Sequence, residues 1–253
     1  MTLDLLGRTA LVTGASGDLG RSIAITLAEA GADVALHFHS RPERLSAVTE
    51  RIAAFGRRSC MVAGDVGDRA SVQAMVAQVT KTLAAPDIVV ANAVSQIPWI
   101  SVVDQDPERF ADQFRSCVMQ AVHLAQATVP AMRANGGGRF IGISTECIGQ
   151  MLPNQAAYVA GKRGMDGVLK ILAREEGRHG ITVNQVAPGW LAVADGRDAA
   201  VKDDDYIAKH SWMGRRATAQ DVADCVAFLA SPRARSITGA WIPVSCGSIL
   251  PAV

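Results

Sequence analysis

Thr13-Gly14-Ala15-Ser16-Gly17-Asp18-Leu19-Gly20 lies between a short β-type run, Thr9–Thr13, and a segment of helical period from about Leu19 to Ala30. Glycines in such a turn let the chain bend tightly and let its backbone approach a pyrophosphate. The charge of that group is met by amide N–H groups and by the positive end of the following helix. A strand, a glycine-rich turn and a helix at the start of the chain predict a βαβ unit built to hold a dinucleotide.

The same rhythm continues outward from this unit. Asp33–Phe38 reads as a strand, about Pro42–Phe55 as a helix, Ser59–Val62 as a strand and Asp68–Leu83 as a helix. Asp87–Ala91, a long helix over about Pro107–Ala134, Arg139–Ser144, a helix over about Gln155–Arg178 and Ile181–Val186 follow. Ile88-Val89-Val90 and Phe140-Ile141-Gly142-Ile143 are apolar on both faces, as strands of a parallel sheet covered by helices on both sides are. Gly31, Gly56, Gly136-Gly137-Gly138 and Gly180 punctuate the alternation. No composition shift or linker divides the 253 residues, so one doubly wound α/β domain over residues 1–253 is predicted. A helix over Asp221–Ala230 and a strand over Ile237–Val244 are expected to extend the sheet at its end. The polar stretch from Trp190 to Met213, with Lys202-Asp203-Asp204-Asp205, breaks the rhythm and reads as a cap over a site at residues 190–213.

Composition narrows the function. Apolar residues make up 49% of the chain, charged residues 19%, and the formal net charge is +1. Neither a nucleic-acid-binding field nor disorder is indicated. Cys60, Cys117, Cys147, Cys225 and Cys246 are odd in number and scattered, which fits packing residues in a reducing cytoplasm rather than a disulfide framework or a zinc site. No basic-then-apolar leader opens the sequence and no apolar run reaches membrane-spanning length, so a cytoplasmic protein with no membrane partner and no metal is expected.

Chemistry is concentrated at Tyr158-Val159-Ala160-Gly161-Lys162. On a helix, residues four apart share a face, so the Lys162 ammonium is expected to lie near the Tyr158 phenol. A free phenol titrates near 10. A fixed positive charge favours the phenolate and brings the group toward a range useful for proton transfer.

Thr13-Gly14-x-x-x-x-x-Gly20, Asp65-Val66, Asn92-Ala93, Thr145, Tyr158-x-x-x-Lys162 and Pro188-Gly189, in that order and at those separations, resemble the short-chain dehydrogenase/reductase family over nearly the whole chain, from about residue 6 to residue 247. The resemblance implies a Rossmann-like fold with a seven-stranded, mostly parallel sheet, a nicotinamide cofactor, and a homo-oligomer, dimer or homotetramer, built by the two long helices. Carried over residue by residue, it makes Thr145, Tyr158 and Lys162 catalytic. Gly14, Ser16, Asp18, Leu19 and Gly20 would hold the phosphates, Asp65 and Val66 the adenine, and Asn92 the strand beside the cofactor. Pro188, Gly189, Leu191, Tyr158 and Lys162 would meet the nicotinamide end. Phe38 stands where an NAD-preferring relative carries Asp, and His39, Ser40 and Arg41 offer groups for a ribose 2′-phosphate, so NADP(H) is expected over NAD(H). The implied activity is hydride transfer between NADP(H) and a carbonyl or secondary alcohol, a ketoreductase with Tyr158 as proton donor or acceptor. An isomerase, dehydratase or cyclase on the same fold, and a dinucleotide sensor without turnover, are the alternatives.

Four positions depart from the family pattern. Asp18 replaces a turn glycine and puts a carboxylate where an anion should approach. Thr145 replaces the serine, with Ser144 as a second candidate one residue earlier. Cys117 takes the place of an asparagine on the long helix, and Val193 that of a threonine after Pro188-Gly189. Around the substrate the sequence names Val94, Ser95, Gln96, Glu146, Cys147, Gln150, Met151, Trp190 and Leu191. Of these Glu146 is the least expected: it reads as a solvated loop carboxylate or as a group that binds a polar or cationic substrate.

Overall fold

A computed structural model describes residues 3–192 and 203–250. The elements in chain order are β1 (Thr9–Val12), α1 (Asp18–Glu29), β2 (Asp33–Phe38), α2 (Ser46–Ala54), β3 (Ser59–Ala63), α3 (Arg69–Thr82), β4 (Ile88–Ala91), α4 (Pro107–Gln113), α5 (Gln120–Ala134) and β5 (Gly138–Ile143). They continue with α6 (Cys147–Gln150), α7 (Ala156–Glu176), β6 (Ile181–Pro188), α8 (Asp203–His210), α9 (Ala219–Ala230) and β7 (Trp241–Val244). The seven strands form one sheet in the order β3-β2-β1-β4-β5-β6-β7, and every pairing is parallel. This is the doubly wound Rossmann-like arrangement that the alternation predicts.

Period-two alternation divides the core. Ala10, Val12, Ile88, Val90, Ile141 and Ile143 face a layer containing α1 and α9. Leu11, Val89, Ala91 and Phe140 face a layer containing α3, α5 and α7. Strands buried on both faces carry no polar side, which is why their apolar runs are continuous. Chain order reverses between β1 and β4, so the turns that leave these two strands diverge and open a crevice beyond their carboxyl ends.

Three elements differ from the sequence expectation. The long helix is broken into α4 and α5 by a π-helical turn over Phe114–Met119, an inserted residue that apolar periodicity does not reveal. The last strand begins at Trp241 rather than Ile237, because Asn184 takes over the backbone groups just before it. Its amide nitrogen donates to the Ile237 carbonyl (2.7 Å) and its amide oxygen accepts from the Ala240 N–H (3.1 Å), while Gly239 turns with φ +73°. The expected helix from Pro42 opens with a 3-10 turn, Pro42–Leu45, before α2. Within the expected cap, residues 190–192 and 203–213, including α8, are seen, whereas Val193 and the rest of 193–202 lie outside the described residues.

Candidate active site

The turn after β1 is shaped by contacts that admit only glycine at two places. Gly14 has φ +64°, and a Cβ there would lie 3.0 Å from Ala93 Cα. A Cβ on Gly20 would strike the Gly14 carbonyl oxygen and the Ala15 backbone. The backbone therefore comes as close to the crevice as it can, at the N-terminus of α1, which is the cradle a diphosphate requires. Asp18 sits in the first turn of α1 and forms an ion pair with Arg21. An acid at this end complements the helix dipole, and Arg21 offsets the carboxylate whose placement the sequence made troubling.

Two residues to which the sequence assigned no role hold this turn in place. His37, buried near the end of β2, accepts the Gly14 N–H on Nδ1 (3.0 Å), and its Nε2 donates to the Gly64 carbonyl (3.1 Å). The first contact requires a ring unprotonated at Nδ1, and burial holds the imidazole below its ordinary 6.5. Thr13 accepts the N–H groups of Asn92 (2.8 Å) and Ala93 (3.0 Å) on its hydroxyl oxygen and donates to the Gln120 side chain (2.6 Å). Asn92 in turn donates from its amide to the Thr13 carbonyl (2.8 Å). The ends of β1 and β4 are locked together at the point where the topology reverses.

Every catalytic and cofactor-binding candidate from the sequence lines one cleft of about 740 Å³, from the turn after β1 to Leu191. That volume lies within the usual range of ligand sites, and the glycine cradle with its helix terminus suits a dinucleotide. His39, Ser40 and Arg41 stand exposed along it. Asp65 accepts the Gly67 N–H (2.8 Å) across the same wall. Arg115, a further residue the sequence did not single out, borders the cleft and pairs with Asp112 (2.8 Å) and with Glu108.

At the far end stand the residues able to move a proton. Lys162 is 2% exposed, and its Nζ donates to the Ile143 carbonyl (2.6 Å) while lying 5.9 Å from the centroid of the Tyr158 ring. Burial pushes the Tyr158 phenol above its ordinary 10, with the Thr145 side chain pulling the other way, and burial also pushes the Lys162 amine down from 10.5. The expected lowering of the phenol by an adjacent ammonium is not found: desolvation governs the group, and the Thr145 side chain is what pulls it down. Gly161 lets α7 close on the end of α4, since a Cβ there would lie 2.9 Å from the Gln113 carbonyl oxygen. Cys117 on the π-helical turn is wholly buried.

The two hydroxyl candidates part company. Ser144 Oγ accepts from the Trp241 indole N–H (3.0 Å), tying it toward β7. Thr145 borders both the long cleft and a second cavity of about 550 Å³, and so does Tyr158. Glu146 is not a solvated loop carboxylate: it is 4% exposed, accepts the Trp190 N–H (3.0 Å) on one oxygen and the Ser248 hydroxyl on the other. It joins the loop after β5 to the segment after β6 and to the C-terminal loop. Of the sequence's substrate candidates, Ser95, Gln96, Glu146, Cys147, Gln150, Trp190 and Leu191 line this second cavity. Met151 and Val94 do not, although Val94 borders the long cleft. Trp99, Gln155 and His210 are further lining residues absent from that expectation.

A family described as Enoyl-(Acyl carrier protein) reductase matches residues 14–248. The 3-oxoacyl-acyl-carrier-protein reductase FabG of Staphylococcus aureus is 35% identical over 251 residues, covering 95% of this chain and 97% of the relative. L-rhamnose 1-dehydrogenase (NAD(P)(+)) of a Sphingomonas species is 33% identical, with 96% of each chain covered. The crystal structure of L-sorbose reductase from Gluconobacter frateurii, complexed with NADPH and L-sorbose, superposes with a TM-score of 0.92 at 28% identity over 100% of both chains. Among the described residues, no helix is long and apolar enough to cross a membrane.

Proposed function

The chain belongs to the short-chain dehydrogenase/reductase family, and from that premise we propose that it is an NADP(H)-dependent ketoreductase, an alcohol dehydrogenase in reverse. The observation that carries this reading is that Thr145 and Tyr158 border both cavities, so a carbonyl held between them lies at the seam of a dinucleotide cleft and a substrate pocket. NADP(H), when bound, supplies or takes the hydride at the substrate carbon. Tyr158 gives the proton to the substrate oxygen or takes it back. Its raised pKa keeps it protonated through the neutral range, which suits the acid of the reducing direction. Thr145 hydrogen-bonds the same oxygen and orients it. Lys162 spends one of three donors on Ile143 and keeps the others for the phenol and the cofactor ribose.

Preference for NADP(H) is supported by His39, Ser40 and Arg41 on the cleft wall, where a 2′-phosphate would find donors and positive charge. Residues 1–253 act as one dinucleotide-binding and catalytic domain, and 190–213 serve as the substrate cap, which Trp190, Leu191 and His210 support by lining the second cavity. Exposed Phe114 and Ile171, on the π-helical turn and on α7, fit an assembly of two or four copies through these helices; a monomer by light scattering would exclude it. An absorbance screen of ketones with each nicotinamide tests the main reading. Oxidation of NADPH faster than NADH is expected, and no oxidation of either over a broad carbonyl panel would contradict it.

A further inference from the structure

Because every strand pairing is parallel, the residues that open the strands gather along one edge of the sheet, opposite the cleft beyond the carboxyl ends. Arg8 directly precedes β1, Asp87 directly precedes β4, and Arg139 is the second residue of β5. These three strands are neighbours, with Ile88 registered between Ala10 and Arg139. We propose that the cavity of about 150 Å³ lined by Arg8, Asp87 and Arg139 is a site for an oxyanion of inorganic phosphate size, held by the two guanidinium groups. The site is independent of the reaction at Tyr158.

The charges at this edge are unevenly matched. Asp87 accepts Arg8 Nη1 (3.3 Å) on one carboxylate oxygen and the Thr9 N–H (3.1 Å) on the other. Arg139 has no carboxylate partner among the described residues. Its Nη1 donates to the Gly138 carbonyl (2.9 Å), which holds the half-buried guanidinium against the glycine turn. Its Nε is sealed from solvent, whereas Nη2 remains accessible and makes no hydrogen bond among the described residues. Burial, and then the Arg8 charge, push this guanidinium below its ordinary 12.5, with no carboxylate pulling the other way. A cation drawn out of water beside a second cation is costly unless an anion joins them.

The shape of the cavity suits the same ligand. Gly136, Gly137, Gly138 and Gly180 line it without side chains. Their turn is closely fitted, since a Cβ on Gly137 would lie 2.8 Å from the Gly180 carbonyl oxygen. The space left holds several heavy atoms. Asn135, also on the wall, adds a neutral side-chain donor that has no partner among the described residues. Guanidinium forks match the oxygens of a phosphate in pairs.

The test is thermal unfolding of the natural protein, Arg139→Met, Arg8→Met and Arg41→Ala, in phosphate and in chloride at matched ionic strength. Millimolar phosphate is expected to raise the Tm of the natural protein saturably, by about 3 °C or more, and to do the same in Arg41→Ala. The rise should vanish in Arg139→Met and shrink by half or more in Arg8→Met. An equal rise in all four proteins is a general salt effect and overturns the inference. A rise lost only in Arg41→Ala also overturns it, by moving the anion to the dinucleotide cleft. Should Arg139→Met fail to fold, calorimetric titration of inorganic phosphate into Arg41→Ala, with and without Arg8→Met, decides. Binding that Arg8→Met weakens about tenfold upholds the site, and no binding, or binding that Arg8→Met leaves unchanged, overturns it.

Discussion

The backbone N–H of Gly14 is held 3.0 Å from Nδ1 of His37, a contact that only a ring unprotonated at that nitrogen can make. Removing the acceptor strands a partly buried donor in the phosphate turn and another group at Gly64. His37→Ala is expected to lower stability by about 1–3 kcal/mol and to weaken NADPH binding, read by denaturant unfolding and calorimetry. Because burial sets the folded pKa below 6.5, the unfolded chain binds the extra proton first. The contribution of His37 is therefore complete above pH 6.5 and is lost as pH falls through the lower folded value. A stability profile in which His37→Ala and the natural protein fall in parallel below pH 6.5 would contradict this role.

Arg41 is exposed on the cleft wall and carries the charge assigned to the 2′-phosphate. Arg41→Ala should raise KM for NADPH roughly tenfold, about 1.4 kcal/mol, with a smaller effect on NADH. Equal effects on both cofactors would remove the assignment.

Cys117 replaces the family's asparagine at a wholly buried position on the π-helical turn, and we propose that it serves Lys162 through its main-chain carbonyl rather than its thiol. Cys117→Ala is predicted to lower stability by about 1 kcal/mol and kcat by less than about tenfold. Lys162→Met should lower kcat about a hundredfold or more. Similar losses in kcat for both variants would transfer the role to the thiol.

Burial holds the Tyr158 phenol above 10, which separates the two reaction directions by pH. Ketone reduction uses the protonated phenol and should be flat from neutral pH to about 10, the ordinary phenol value. Alcohol oxidation uses the phenolate and should still be rising there. The initial rate of each direction against pH, with NADPH or NADP at saturation, checks the sign.

Legibility in the sequence followed distance along the chain. The glycine turn, the βα alternation and the Tyr158–Lys162 spacing are local patterns, and the residues they single out line one cleft. His37 drew no role from the sequence, because its contact with Gly14 exists only once β1 and β2 lie side by side. Glu146 looked solvated because one of its partners, Ser248, lies 102 residues away. The π-helical turn that places Cys117 was hidden because it is set by backbone hydrogen bonding inside an otherwise helical segment, which no residue type marks. Gln155 is adjacent to the Tyr158 motif, and its buried, unpartnered oxygen is visible only after α7 docks.

The proton role of Tyr158 is tested most directly by Tyr158→Phe, measured as ketone-dependent NADPH oxidation together with the dissociation constant for NADPH. A fall in kcat of about 10² to 10⁴ with cofactor binding retained is the predicted result. Full activity in Tyr158→Phe would contradict the account.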